Sequence, residues 1–161
     1  MATTAEFAAL VQRHREPLAR LCRHYEANTE TRRDLEQEIL LSLWRALEHF
    51  RGDCSERSFV YRVAHNVAAT HVLRAVRAGR PVPALDPPPA ATPEQTLEAR
   101  TALTQLEARL RALDLPGRQL VLLALEGCST AEMAAITGLS ATNVTTRLSR
   151  ARRALSEETP S

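Results

Sequence analysis

Four arginines near the end of the chain have the type and spacing to contact nucleic acid. A stretch without any acidic residue, 139–155, contains all of them: Arg147, Arg150, Arg152 and Arg153. A guanidinium group offers a planar fork of donors that fits both phosphate oxygens and the edge of guanine. Since no carboxylate in the stretch neutralises this charge, the pattern predicts a surface that attracts nucleic acid.

A second acid-free region lies near the middle of the chain. Residues 57–85 contain five arginines and no Asp or Glu, and their apolar residues recur at helical spacing. A solvated helix face normally mixes both charge signs, so this absence of acid favours nucleic-acid contact here too. Opposite the apolar stripe, a polar row recurs every four residues and winds slowly along the helix: Arg62, Asn66, Thr70 and Arg74.

The last arginines would be positioned by two helices with a tight turn between them. Ser129 can cap the first helix, and Gly138 can end it in the left-handed conformation that glycine adopts without steric cost. Ser140 can cap the second helix, on which Val144 is spaced as the apolar anchor. The pattern predicts a helix-turn-helix whose second helix carries the arginines.

Helical periodicity continues through the rest of the chain, with one break. Residues 79–93 contain six of the nine prolines, a density at which no helix survives, so this segment is predicted to be a linker. Before the linker, apolar stripes predict helices over 4–26, kinked or split at Pro17, over 31–50, and from a Ser55 cap to about Arg77.

Two further helices are predicted between the linker and the helix-turn-helix. The first carries a leucine seam that is short for a coiled coil, which favours packing within a small bundle; the seam is Leu103, Leu106, Leu110 and Leu113. The second begins at Asp114 and stops at Gly127. The predicted fold is therefore all-α: a helical domain over 1–78, the proline-rich linker over 79–93, and a helix-turn-helix domain over 94–161.

Composition narrows the function classes. With 44% hydrophobic and 25% charged residues, no long apolar run and no N-terminal secretory pattern, the chain is expected to be cytoplasmic and not inserted in a membrane. Cys22 and His24 are two apart, and His65 and His71 six apart, so on a helix each pair diverges and no metal site is predicted. The sequence also lacks a Gly-rich phosphate loop and a nucleophile motif, so neither an enzyme, with catalytic residues, nor a cofactor is expected.

Three motifs, in their order along the chain, resemble the extracytoplasmic-function sigma factors, small two-domain members of the bacterial sigma-70 family. Residues 34–38, DLEQE, followed by 43–47, LWRAL, are similar to the region 2 helix that docks on RNA polymerase. Residues 58–66, SFVYRVAHN, resemble the helix that melts and holds the start-proximal promoter element. Residues 115–119, LPGRQ, with the helix-turn-helix, resemble region 4, which reads the upstream element.

The resemblance implies a role for the polar residues of the first domain. Asp34, Gln37 and Glu38 would face the largest subunit of the polymerase; a second account of Asp34 is that it stabilises the dipole of a helix first turn. The domain would bind the unpaired promoter strand better than the duplex and so shift the opening equilibrium. The residues expected on that strand are Ser55, Arg57, Arg62, His65, Asn66, Thr70 and Arg74.

In the second domain, the N-terminal residues of the recognition helix are expected to contact bases, and later arginines phosphates. The base-contacting residues would be Thr142, Asn143, Thr146 and Arg147, and the phosphate-contacting ones Arg150 and Arg153. The implied partners are core RNA polymerase, promoter DNA and an anti-sigma factor that wedges between or clamps the two domains. The linker would permit a closed and an open arrangement of the free protein.

Two other classes compete with this interpretation. A helix-turn-helix regulator with an N-terminal dimerisation or sensing domain accounts for the C-terminal helices, but not for residues 34–38 or for the acid-free helix. A protein-interaction module leaves the arginine-rich last helix unexplained.

Overall fold

Helices form all the regular structure in a computed structural model that describes residues 2–79 and 96–157. No helix within those ranges is long and apolar enough to cross a membrane. The all-α prediction is confirmed, whereas the predicted linker, apart from Gly79, falls outside the described residues. In chain order the helices are α1 (Thr4–Arg13), α2 (Arg15–Tyr25), α3 (Thr29–Leu47), α4 (Glu56–Arg77), α5 (Leu97–Ala112), α6 (Leu115–Leu125), α7 (Thr130–Thr137) and α8 (Ala141–Ser156).

The first four helices, called the N-terminal half below, are organised around the packing of α3 on α4. Leu35, Ile39 and Leu43 repeat along one face of α3 and are at most 1% exposed. They meet the equally buried Val60 and Ala64 of α4. Burying an aliphatic side chain of this size contributes about 1.5–3 kcal/mol, so this shared face fixes the direction of both helices.

Breaks between the first helices follow from local chemistry. The predicted split of the N-terminal segment occurs at His14, and Pro17 lies in the first turn of α2, where its missing N–H breaks no helical hydrogen bond. α3 begins earlier than predicted because the Asn28 Oδ1 accepts hydrogen bonds from the N–H groups of Glu30 and Thr31, at 2.9 and 3.1 Å. Glu30 therefore occupies the first turn, and Asp34 lies beyond it.

The long helix α4 has the predicted cap and length. The Ser55 Oγ accepts from the N–H of Ser58 at 3.1 Å, and the helix runs to Arg77. Phe59 stacks on Phe50 with ring centroids 4.4 Å apart and is 8% exposed. This contact joins the start of α4 to the segment that follows α3.

The last four helices, called the C-terminal half below, surround α6. Leu120 and Leu123 of α6 are fully buried, and α6 packs mainly on α8. The leucine seam of α5 is buried only near its C-terminal end: Leu110 is 2% exposed, but Leu103 and Leu106 are 46% and 44% exposed. The prediction that the seam packs within the bundle is wrong for its first half, because α5 extends beyond the helices that cover its end.

The helix-turn-helix forms at its predicted position. Gly138 ends α7 with φ +78°, a backbone conformation that other residues adopt only with strain. The Ser140 Oγ accepts from the N–H of Asn143 at 3.1 Å, which starts α8. Val144 is fully buried and packs, with Met133 and Ile136 of α7, in the hydrophobic core.

The two halves contact one another, mainly through α4 against α7 and α2 against α5. The Arg111 Nη2 donates to the carbonyl oxygen of Arg23 at 3.2 Å. The guanidinium of Arg118 lies 5.8 Å from the ring centroid of Tyr25, close enough for a cation–π interaction. The described structure is therefore a closed arrangement of the two halves.

Candidate nucleic-acid interface

The polar residues of α8 form an open surface. Val144, Leu148 and Ala151 face the core, so the opposite side of the helix points to solvent. Arg147 is half-buried, and its Nε is buried without a hydrogen-bond partner among the described residues. The other residues predicted to contact duplex DNA are exposed: Thr142, Asn143, Thr146, Arg150 and Arg153. These six residues are called the α8 polar face below.

The polar row predicted on α4 is open along only part of its length. Asn66, Thr70 and Arg74 are exposed, and the Thr70 Oγ1 donates to the carbonyl oxygen of Asn66 at 3.0 Å. Arg62 is half-buried, and its Nη2 donates to the carbonyl oxygen of Ala135 in α7 at 3.2 Å. The row of Arg62, Asn66, Thr70 and Arg74 is called the α4 polar row below.

Two other residues that were predicted to contact the unpaired DNA strand have structural roles. His65 is 3% exposed, and its Nδ1 lies 2.8 Å from the Tyr25 hydroxyl oxygen. Burial lowers the pKa of His65 to about 3, so its imidazole is neutral at physiological pH. The hydroxyl of Ser55 is used as the cap of α4 and also donates to the Ser58 Oγ at 3.0 Å. In this arrangement His65 is not accessible to a DNA strand.

Arg57 lies one turn before the α4 polar row and pairs with the C-terminal half. Its Nη2 is 2.5 Å from the Glu132 Oε2, and its Nη1 donates to the carbonyl oxygen of Glu126 at 3.4 Å. The Arg57 hydrogen bond lowers the pKa of Glu132, while the same bond raises the pKa of Arg57. Both side chains remain more than a third exposed, so the pair is accessible to water and salt.

A second ion pair joins the halves at α2 and the end of α6. The Arg20 Nε and Nη2 donate to the two carboxylate oxygens of Glu126, each at 2.9 Å, which is the bidentate geometry that strengthens such pairs. The Tyr61 hydroxyl donates to the same carboxylate at 3.3 Å. Glu126 and Glu132 were not predicted from the sequence, because each has an ordinary local role beside a glycine turn or a helix cap.

The predicted polymerase-docking residues share an exposed face of α3. Asp34, Gln37 and Glu38 point away from the buried Leu35 and Ile39. Within the described ranges, none of the three side chains has a hydrogen bond or ion pair. Because Asp34 lies beyond the first turn, stabilisation of the helix dipole does not account for it.

Comparisons with known proteins identify the family. The Sigma-70 region 2 family matches residues 10–78, and the Sigma-70, region 4 family matches residues 98–155. The RNA polymerase sigma factor CnrH from Cupriavidus metallidurans is 32% identical, over 93% of this chain and 84% of CnrH. The ECF RNA polymerase sigma factor SigM from Mycobacterium tuberculosis is also 32% identical, over 91% of this chain and 73% of SigM. This chain belongs to the extracytoplasmic-function sigma factors.

Solved sigma factors share the fold of this one. CnrH in complex with the cytosolic domain of CnrY matches with a TM-score of 0.70 and 26% identity, over 96% of this chain and 88% of CnrH. RpoE in complex with the anti-sigma factor NepR from Bartonella quintana matches with a TM-score of 0.74, over 93% of this chain and 94% of RpoE. At 19% identity, the second match is evidence for the fold alone. The recognised family and the two-domain all-α fold are thus confirmed.

Proposed function

We propose that this sigma factor binds core RNA polymerase, recognises promoter DNA through its two domains and promotes strand opening. One observation carries the proposal: α3 presents an unpaired acidic face, while α4, packed directly on α3, presents an acid-free polar row. Polymerase docking and strand capture would then occur on two helices with a shared core. The proposed domains are residues 1–78 for these two tasks and 94–161 for the upstream element, with 79–93 as the linker.

Strand opening would proceed by capture. An extruded base costs a few kcal/mol of unstacking, which contacts available only to the single strand must offset. Asn66, Thr70 and Arg74 are exposed and supply an amide, a hydroxyl and a cation for bases and phosphates. Arg57 and Arg62 would extend this track once their contacts with the C-terminal half are broken.

Upstream recognition would use the α8 polar face in the major groove. Thr142, Asn143, Thr146 and Arg147 occupy the first half of the helix, the part that reaches base edges in helix-turn-helix proteins. Arg150 and Arg153 lie further along, where phosphates pass. The chain would act on the polymerase in the cytoplasm as a regulatory DNA-binding protein, with no catalytic residues of its own.

An anti-sigma factor is the further partner we propose. RpoE, which has the same fold, was solved with the anti-sigma factor NepR, and CnrH with the cytosolic domain of CnrY. The contacts between the halves favour an inhibitor that clamps both domains from outside over one that wedges between them. Wedging would first require the Arg20–Glu126 and Arg57–Glu132 pairs to separate.

The polymerase assignment is tested by reversing one charge of the acidic face. Glu38→Arg is expected to abolish binding to core polymerase in a pull-down and initiation in run-off transcription, with helicity unchanged, because the side chain is exposed and unpaired. Glu48→Arg is the matched control, since it reverses an exposed carboxylate at the other end of α3 and should bind at wild-type strength. Retention of wild-type binding by Glu38→Arg would refute the assignment.

A further inference from the structure

Carboxylates of the C-terminal half lie against the start of α4. The Glu132 carboxylate is paired with Arg57, and the backbone of α7 accepts from Arg62. These are two of the arginines proposed to hold the promoter strand. The only carboxylate of α4, Glu56, pairs with Arg13 and His14, so the carboxylate that pairs with Arg57 comes from another element.

The second pair reinforces this position of the C-terminal half. Arg20 holds Glu126 with two parallel hydrogen bonds, and Glu126 also accepts from Tyr61 of α4. Glu126 and Glu132 flank the turn between α6 and α7, so one short segment carries both carboxylates. By contrast, no residue of the α8 polar face has a side-chain hydrogen bond or ion pair with the N-terminal half among the described residues.

We propose that Glu126 and Glu132 form an autoinhibitory latch that closes the strand-binding surface while leaving the duplex-binding surface open. The Glu132 carboxylate occupies the guanidinium of Arg57 where a strand phosphate would lie, so latch and strand compete for one cation. Because only open molecules could bind the strand, the apparent affinity would be the affinity of the open form multiplied by the fraction of molecules that are open. The identity of the strand-binding surface rests on the proposed function.

The strength of the contacts fits a reversible device. The side chains of the Arg57–Glu132 pair are 38% and 37% exposed, and those of the Arg20–Glu126 pair 41% and 22%. Pairs this exposed are weak individually and are screened by salt, so closure depends on several of them together. Contact with polymerase or DNA could then open the halves without unfolding either core.

A charge-swap cycle on the full chain tests the latch without DNA or polymerase. Compactness is measured by X-ray scattering and by fluorescence transfer between dyes on the two halves. Glu132→Arg and Arg57→Glu should each expand the protein, because each places like charges together, and the double variant should restore the wild-type dimensions. Glu98→Arg is the control, since it also reverses an exposed carboxylate in a helix first turn, and it should stay compact. Expansion of the double variant, or no expansion of either single variant, would overturn the latch.

Inhibition is tested by the affinity for single-stranded DNA carrying the start-proximal element. The variant Glu126→Gln with Glu132→Gln should bind this strand about two- to thirtyfold more tightly than the wild type, the range given by the loss of two exposed ion pairs. Glu98→Gln should leave strand affinity unchanged. If Glu126→Gln with Glu132→Gln left the strand affinity unchanged, the inhibitory role would be overturned, even if the charge-swap cycle had shown that the latch closes the protein. Absence of strand binding in every variant would instead refute the proposed function, and with it the inhibitory role.

Discussion

The α4 polar row and the α8 polar face look alike in the sequence but differ in the closed structure. Both are arginine-bearing helix surfaces without acid. On α8 every predicted contact residue except Arg147 is exposed, whereas at the start of α4 Arg57 and Arg62 are engaged by the C-terminal half. An acid-free helix therefore indicates an anion-binding surface, but the anion can come from the same chain.

The difference follows from how much of each helix is buried. α8 buries a single narrow stripe of Val144, Leu148 and Ala151 against its own half. α4 buries residues on several sides, including Val60 toward α3 and Tyr61 and His65 toward α2 and α6. A helix covered on one side by its own half leaves a broad face for DNA, while one lying between two halves exposes only what the second half does not cover.

The largest expected loss of DNA binding comes from a substitution in the α8 polar face. Arg147→Ala should cost about 1–3 kcal/mol of duplex binding on the matched promoter and relax sequence preference, because the side chain lies in the base-reading part of α8. Arg153→Ala should weaken matched and mismatched duplexes alike and reduce the salt slope by about one. Binding titrations at several salt concentrations on both DNAs measure these quantities.

The contrast between the two faces would be sharpened by repeating that titration in the latch variant. Glu126→Gln with Glu132→Gln should leave the Arg147 and Arg153 effects unchanged, since neither carboxylate contacts α8 in the described structure. Equal losses on matched and mismatched DNA for Arg147→Ala would refute its role in base readout.

The sequence predicted features that depend on nearby residues and missed those that depend on distant ones. Ser55, Ser140 and Gly138 act on residues within one helical turn, and each starts or ends a helix as expected. Arg20 and Glu126 are 106 residues apart in the chain, so their pairing follows only from the packing of the halves. The start of α3 was predicted two residues too late because the cap that the Asn28 side chain provides was not identified in the sequence.

His65 was predicted to lie on the strand-binding surface, but the structure buries it. Its position next to Asn66 and Arg62 suggested a polar surface, because spacing shows which residues share a helix but not which sides become buried. Its partner Tyr25 lies on α2, and its backbone carbonyl accepts from Gln119 of the C-terminal half at 3.4 Å. The proposed strand contacts therefore exclude His65 and remain Ser55, Arg57, Arg62, Asn66, Thr70 and Arg74.

The free energy of unfolding should depend on pH through the buried His65 of α4. Burial lowers the pKa of His65 to about 3, against about 6.5 in an unfolded chain, so between these values only the unfolded state binds the proton. Stability must then rise with pH in this window and fall on acidification, by about 1 kcal/mol per unit below 6.5. Burial also lowers the pKa of His24, which adds an effect of the same sign.

The measurement is urea unfolding at pH 7 and pH 5. The carboxylates of Glu126 and Glu132, whose pKa values are lowered by Arg20 and Arg57, keep their charge in this range and add little slope. His65→Gln should flatten the pH dependence, whereas His49→Gln, at an exposed position, should not. An equally steep dependence in His65→Gln would contradict the assignment to a neutral, buried imidazole.

The smallest expected effect compares the covered and open ends of α4 directly. Arg74 is exposed, so Arg74→Ala should weaken single-strand binding by roughly two- to fivefold, the range of an exposed ion pair. Arg57→Ala also removes one proposed contact with the strand, which should weaken binding. It breaks the Arg57–Glu132 pair as well, which should open the latch and strengthen binding. We therefore expect Arg57→Ala to change strand affinity by less than Arg74→Ala in the wild-type protein, and by as much in a Glu132→Gln background. An equal loss for Arg57→Ala in both backgrounds would mean that Glu132 does not compete with the strand, and that the difference between the ends of α4 has no consequence for DNA binding.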